Sequence, residues 1–204
     1  MGTGAWVLAS NNPGKQRELQ GALEPFGIDL QVQGDFGVPE AEETASTFLE
    51  NALIKARQAA QQTGRPALAD DSGLCVDALA GAPGIHSARF AGPAASDAAN
   101  VAQLLARLQG VSPARRTAQF FCALVVVARP EDPMPWVATG RWAGRILGEP
   151  VGPGGFGYDP VFFVPSMACS AAELDPEVKR RISHRGQALQ SLVEQLAGGS
   201  AAGS

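Results

Sequence analysis

WVLASNNPGKQRELQGALEPFGIDLQV, residues Trp6 to Val32, decides the class of fold. Trp6-Val7-Leu8-Ala9 is a short apolar run, the pattern of a buried strand. Ser10-Asn11-Asn12-Pro13-Gly14 closes it with turn-forming residues. Lys15 to Leu23 then reads as a helix with Leu19, Ala22 and Leu23 on one face. Ile28 to Val32 alternates apolar and polar side chains and reads as a second strand. Strand, glycine-containing turn, helix, strand is the opening of an α/β fold.

The pattern continues outward. Thr47 to Ala60 reads as a helix, with Phe48, Ala52, Ala56 and Ala60 at i, i+4 spacing and Ser46 or Thr47 as its cap. Ala67-Leu68-Ala69 is a short strand running into Asp70-Asp71-Ser72-Gly73, after which Leu74 to Leu79 suggests a short helix. Asp97 to Leu108 is another helix, with Val101, Leu104, Leu105 and Leu108 as its core stripe. Ala118 to Ala128 and Trp136 to Leu147 are β-rich and flank the turn Arg129 to Pro135, as in an antiparallel ribbon. A glycine-rich loop, Gly152 to Pro160, leads to the strand Val161 to Val164. Pro176 to Leu196 reads as a terminal helix. The expected organisation is one two-lobed domain over residues 1–197 and a flexible tail over 198–204.

Composition narrows the function. A chain of 204 residues buries roughly 70% of its unfolded surface and folds without a disulfide or structural metal. An apolar share of 45% and a charged share of 18% are those of a globular protein. The net charge of −4 argues against a nucleic acid polymer as partner, but a small polyanion needs only a local basic cluster. The three cysteines, Cys75, Cys122 and Cys169, lack CxxC spacing, which disfavours a disulfide framework or a zinc site. With no apolar run of membrane-spanning length and no basic, apolar leader, the expected partners exclude a membrane and the expected location is cytoplasmic.

Four segments carry chemistry. Ser10-Asn11-Asn12-Pro13-Gly14-Lys15 joins a strand to a helix, where backbone N–H groups and a lysine make an anion site; an ordinary turn has the same residues. Asp70 and Asp71 are adjacent on an extended segment, so their side chains point opposite ways, one inward and one toward a cleft. Carboxylates of this kind suit Mg²⁺ bridging phosphates, and Glu42 or Glu43 would add another. Phe156, Tyr158 and Asp159 lie among glycines that let backbone approach a ligand, where a ring stacks on a base and a carboxylate reads a donor edge. Lys179, His184 and Arg185 are donors able to read a carbonyl oxygen, or else a solvated basic face.

In this order and spacing the segments resemble the inosine/xanthosine triphosphate pyrophosphatase family, the Ham1-like proteins. The resemblance rests on LASNNPGK (8–15), AEET (41–44), FLENALIKA (48–56), ALADDSGLCVDALAGAPGIHSARFAG (67–92), GGFGYDPVFFVP (154–165), AAEL (171–174) and SHRGQAL (183–189). It covers nearly all of Trp6 to Leu196; His86 stands where relatives commonly have an aromatic residue.

The resemblance implies a two-lobed α/β protein, a long mixed β-sheet flanked by helices with a central substrate cleft, and a homodimer. It implies Mg²⁺-dependent hydrolysis of ITP, dITP and XTP to the monophosphate and pyrophosphate, removing deaminated purine nucleotides from the pool. Carried over residue by residue, Ser10, Asn11, Asn12, Pro13, Gly14 and Lys15 form the phosphate loop. Asp71 is the proton acceptor or the metal carboxylate, and Glu43 the second metal carboxylate by its position in AEET, with Glu42 adjacent. Ser72 contacts substrate. Phe156 stacks on the base, with Gly157 and Tyr158 beside it, and Asp159 bonds it. Lys179, His184 and Arg185 read the 6-keto oxygen. A pyrimidine-preferring, Maf-like pyrophosphatase and a nucleotide sensor without turnover are the alternatives; the loop at 152–160 with SHRGQAL opposes the first, and Lys15 with Asp71 the second.

Overall fold

A computed structural model describes residues 4–201. Along the chain run β1 (Gly4–Leu8), α1 (Pro13–Leu23), β2 (Ile28–Val32), α2 (Phe48–Thr63), β3 (Ala67–Val76), α3 (Asp97–Arg107), β4 (Thr117–Val127), β5 (Trp136–Ile146), β6 (Phe162–Val164), β7 (Cys169–Ser170), α4 (Pro176–Ile182) and α5 (His184–Ala201). The strands form a mixed seven-stranded sheet in the order β2-β1-β3-β4-β5-β6-β7. The chain makes two compact units. One holds the chain up to Asp71, Cys122–Gly140 and the chain from Gln187; the other holds Ser72–Phe121 and Arg141–Gly186. Among the described residues no helix is long and apolar enough to cross a membrane.

In the first unit β1 lies parallel to β2, Trp6 opposite Leu30 and Leu8 opposite Val32, and parallel to β3, with Leu8 opposite Leu68. Its core joins Trp6, Leu8, Leu19, Leu23, Leu30, Leu68, Leu124, Leu192 and Leu196. Helix α1 starts two residues earlier than the apolar pattern implies, because Asn12 caps it and Pro13 fills its first position. Helix α2 begins where Thr47 accepts a hydrogen bond from the Glu50 N–H at 3.2 Å and stops at Gly64, whose φ of 65° is left-handed. It buries Asn51, Ala52, Ala56, Ala59 and Ala60. Thr47→Ala removes the cap and lowers stability by about 1 kcal/mol, to be read from a urea midpoint at unchanged slope.

The second unit packs Leu74, Val76, Val101, Leu104, Phe120, Trp142, Phe162 and Val164. Here β5, β6 and β7 pair antiparallel, Arg145 opposite Phe163 and Val164 opposite Cys169. Ser96 caps α3 by accepting from the Ala99 N–H at 3.2 Å.

Three expectations are corrected. The short helix over Leu74 to Leu79 is absent: β3 runs on to Val76, with Leu74 and Val76 fully buried, and only Asp77–Leu79 forms a 3₁₀ turn. The strand expected from Val161 begins at Phe162, since Val161 ends the 3₁₀ turn Asp159–Val161. The terminal helix is two helices broken at Ser183, whose ψ of 164° is extended and whose hydroxyl accepts from the Gly186 N–H at 3.2 Å. Gly186 is needed at this break, because a Cβ there would lie 1.8 Å from the Arg180 carbonyl oxygen. Of the expected tail, α5 continues through Ala201, and residues 202–204 lie outside the described residues.

Candidate active site

In the first unit the turn between β1 and α1 is organised by Asn12. Its Oδ1 accepts from the N–H groups of Gly14 (2.8 Å) and Lys15 (3.1 Å), while its own N–H donates to Ser10 Oγ at 3.2 Å. The side chain of Asn11 lies over Gly34, where a Cβ would meet its Oδ1 at 2.7 Å. Lys15 points out of the first helical turn and donates to Asp70 Oδ1 at 2.7 Å. Asp70 is fully buried at its side chain and also receives the Cys122 thiol at 3.5 Å. A lysine carries three donors, so Lys15 can hold Asp70 and still present N–H groups to a phosphate.

Asp71, the next residue on β3, takes different partners, as the alternation of a strand requires. Its Oδ1 receives Lys55 Nζ at 2.7 Å, and the same Nζ donates to Glu43 Oε1 at 3.0 Å. Glu43 is half-buried and Glu42 exposed, so the geometry selects Glu43 of the two. Burial pushes the Asp71 carboxyl up to about 6, against the opposing pull of Lys55. Burial draws Lys55 down, but the Asp71 and Glu43 carboxylates outweigh it and leave the ammonium above its ordinary value.

Lys55 is the residue that sequence reasoning missed. Within FLENALIKA it reads as part of a helix's polar face, and its partner is 16 residues farther along the chain. No sequence signal marks it: its near burial, 14% side-chain exposure beside two carboxylates, arises only in the folded chain. Asn51, one helical turn earlier, accepts from the Ala45 N–H at 3.0 Å and so ties down the segment that carries Glu43.

These residues fit a divalent cation. Two carboxylates converge on one cation, the Lys55 ammonium. The other oxygen of Asp71, Oδ2, is buried with no hydrogen-bond partner. Among the described residues no three His, Cys, Asp or Glu side chains gather as a ready metal cage. That donor set suits a hard ion such as Mg²⁺, which keeps waters and takes phosphate oxygens alongside one or two carboxylates.

In the second unit the glycine-rich loop presents Phe156, 63% exposed, with Lys179 Nζ 4.5 Å from its ring centre. Asp159 is buried, and its Oδ2 accepts from the Phe156 N–H at 2.8 Å and from Lys179 Nζ. Gly155 leaves room for that carboxylate: its φ is 75°, and a Cβ there would stand 2.3 Å from Asp159 Oδ2. Tyr158 is buried and donates its hydroxyl to the Ser87 carbonyl at 2.8 Å. At the helix break, Arg185 Nη2 donates to Ser72 Oγ at 3.2 Å. The His184 ring stacks on Phe120, with centres 4.8 Å apart and planes 10° from parallel.

The structure thus brings Lys15 to Asp70, Asp71 to Glu43, Phe156 and Asp159 to Lys179, and Ser72 to Arg185. His184 and Arg185 are buried, which sets aside the reading of a solvated basic face for these two.

Comparison with known proteins agrees across the chain. The sequence model of the Ham1 family matches residues 6–195. A dITP/XTP pyrophosphatase of Vibrio parahaemolyticus is 56% identical over 190 residues, covering 93% of this chain and 95% of its own. One of Methylococcus capsulatus is 58% identical, with 93% and 94% covered. The solved structure of a HAM1 protein from Coxiella burnetii superposes with a TM-score of 0.92 at 49% identity, covering 95% of this chain and 98% of that one.

Proposed function

The chain belongs to the Ham1 family, and from that premise we propose that it hydrolyses ITP, dITP and XTP to the monophosphate and pyrophosphate, clearing deaminated purine nucleotides. The observation that carries this reading is the likeness to dITP/XTP pyrophosphatases over 93% of the chain. The proposal includes Mg²⁺ as cofactor, a homodimer as the working form and the cytoplasm as its location.

The chemistry follows from the first unit. Water attacks the α-phosphorus, the bond from that phosphorus to the bridging oxygen breaks, and pyrophosphate leaves with the electron pair. Asp71 takes the proton of the water. A carboxyl at about 6 is ionised at neutral pH yet basic enough to accept a proton, the match that general-base catalysis needs. Lys55 fixes Oδ1 and so orients the carboxylate. Lys15, with the turn Ser10 to Gly14, neutralises the phosphates. Glu43 and Asp71 would hold Mg²⁺, which when bound spreads the charge of the leaving pyrophosphate.

Base choice is the task of the second unit. Phe156 stacks on the purine, flanked by Gly157 and Tyr158. Asp159 bonds the base, and it also holds Phe156 and Lys179. Lys179, His184 and Arg185 offer donors to a 6-keto oxygen, and Ser72 adds a contact to substrate. A 6-amino group meets those donors with its own N–H, and a buried mismatch of that kind costs about 1–3 kcal/mol, one to two decades of discrimination.

Pyrophosphate release from ITP, dITP, XTP, GTP, ATP and dTTP, with Mg²⁺ and with EDTA, tests the proposal. The expected result is Mg²⁺-dependent release from the first three, at least about tenfold above ATP. Release chiefly from dTTP would replace the purine reading by a pyrimidine one. ITP binding without release would make the chain a sensor. Light scattering at micromolar concentration tests the homodimer: a mass twice that of the chain supports it, and a monomer mass removes it.

A further inference from the structure

We propose that Asp97 is a positioning residue for purine recognition, holding Gly157 so that the ring of Phe156 is presented to the base. This rests on the nucleotide reading above. Gly157 has a φ of 58°, a left-handed conformation, and its N–H donates to Asp97 Oδ2 at 2.6 Å. The bond joins residues 60 apart, while the tether on the neighbouring Phe156 N–H is local, to Asp159 three residues on. Through Asp159 that tether also reaches Lys179 on α4, on the side of the loop away from Gly157. Asp97 supplies an anchor at the residue next to the stacking ring.

The anchor is itself well held. Asp97 opens α3, whose Val101 and Leu104 are in the core. Asn100 is buried, accepting from the Ala91 N–H at 2.9 Å and donating to the Ala88 carbonyl at 3.1 Å. The Tyr158 hydroxyl reaches the same stretch at Ser87. Burial, and then the charge of Asp97, push that hydroxyl above its ordinary value, which suits a phenol that only donates. Ser96 already caps α3, so the carboxylate of Asp97 is not needed for the cap. The Asp97 carboxylate thus accepts from a glycine N–H beside a largely exposed aromatic ring.

The test separates the base from the phosphates. Asp97→Ala removes the acceptor, and Asp97→Glu keeps the charge but misplaces it by one methylene. Both are expected to raise KM for ITP and XTP about tenfold with kcat within about threefold. Inhibition by inosine monophosphate should weaken in parallel, while inhibition by inorganic pyrophosphate stays within twofold. Asp97→Asn, which still offers an oxygen to the Gly157 N–H, should recover most of the affinity. Ser96→Ala, which loosens only the cap, should lower the melting temperature without the KM shift. If Asp97→Ala does not fold, Asp97→Glu carries the same comparison. Unchanged KM and monophosphate inhibition in both variants, or an equal loss of pyrophosphate inhibition, overturns the proposal. A wild-type protein inactive on ITP and XTP would instead overturn the nucleotide reading beneath it.

Discussion

Asp71→Asn gives a folded protein whose kcat on ITP is lower by about 10³-fold, with KM changed far less. The amide preserves shape and keeps an oxygen for Lys55, but it cannot accept the proton of the attacking water. The fold survives for a reason of sign. A carboxyl held at about 6, against an ordinary 3.8, binds its proton more tightly folded than unfolded. Its contribution to stability is present at acid pH and is withdrawn as pH rises through about 6. At pH 8 the ionised carboxylate is the unfavourable form, so a neutral amide does not unfold the protein, and Lys55 keeps Glu43 as a partner. The same shift sets the pH profile. Activity of the wild type is half-maximal at about pH 6, near full about one unit above it, and approaches a tenfold fall per unit well below it, as Asp71 protonates. Steady-state kinetics on ITP from pH 5 to 9 checks both points, since the variant's residual rate should lack that limb. A variant within tenfold of wild type would remove Asp71 from the role of base.

Lys55→Met lowers kcat by about 10²-fold and moves the acid limb upward. Lys55 is the group that holds Asp71 down against burial, through its charge and its hydrogen bond. Without it, Asp71 and Glu43 lose the ammonium they share, and the carboxyl of Asp71 rises above about 6. At neutral pH a larger share of the enzyme then carries a protonated, inactive base. Raising the pH should recover part of the loss. A uniform fall at every pH would mean that Lys55 only orients Asp71. The pH–rate profile of the variant against that of the wild type distinguishes the two.

The fold was legible where short-range pattern decides it. The run Trp6 to Ala9, the turn and the alternation of Ile28 to Val32 became β1, α1 and β2 because each carries its own period and punctuation. Pattern misled where long-range pairing supplies what a segment lacks. Asp70-Asp71-Ser72-Gly73 looks like the end of a strand, yet β3 continues to Val76, with Leu74 and Val76 buried beyond it and Lys15 and Lys55 pairing with the two carboxylates. The break at Ser183 was hidden because nothing in Pro176 to Leu196 forbids a helix; it depends on a close approach of Arg180 to Gly186. The site divides in the same way. Residue types identified Asp71, Lys15 and Phe156 as candidates, but the choice between Glu42 and Glu43 and the part of Lys55 depend on which side chain reaches across.

The path of the chain bears on how it is made. It passes between the two units at 71–72, 121–122, 140–141 and 186–187. The core of the first unit needs Ala188, Leu189, Leu192 and Leu196. During synthesis, then, the half that begins first is completed last. Until α5 leaves the ribosome, Trp6, Leu19 and Leu124 wait with part of their covering unmade. The second unit, from Ser72 to Gly186, has all its strands and helices in hand before that moment. A protein truncated before Leu189 should lose the first unit's core while leaving the residues of the second intact, so the face of α5 that bears Leu189, Leu192 and Leu196 acts as the closing stitch of that core.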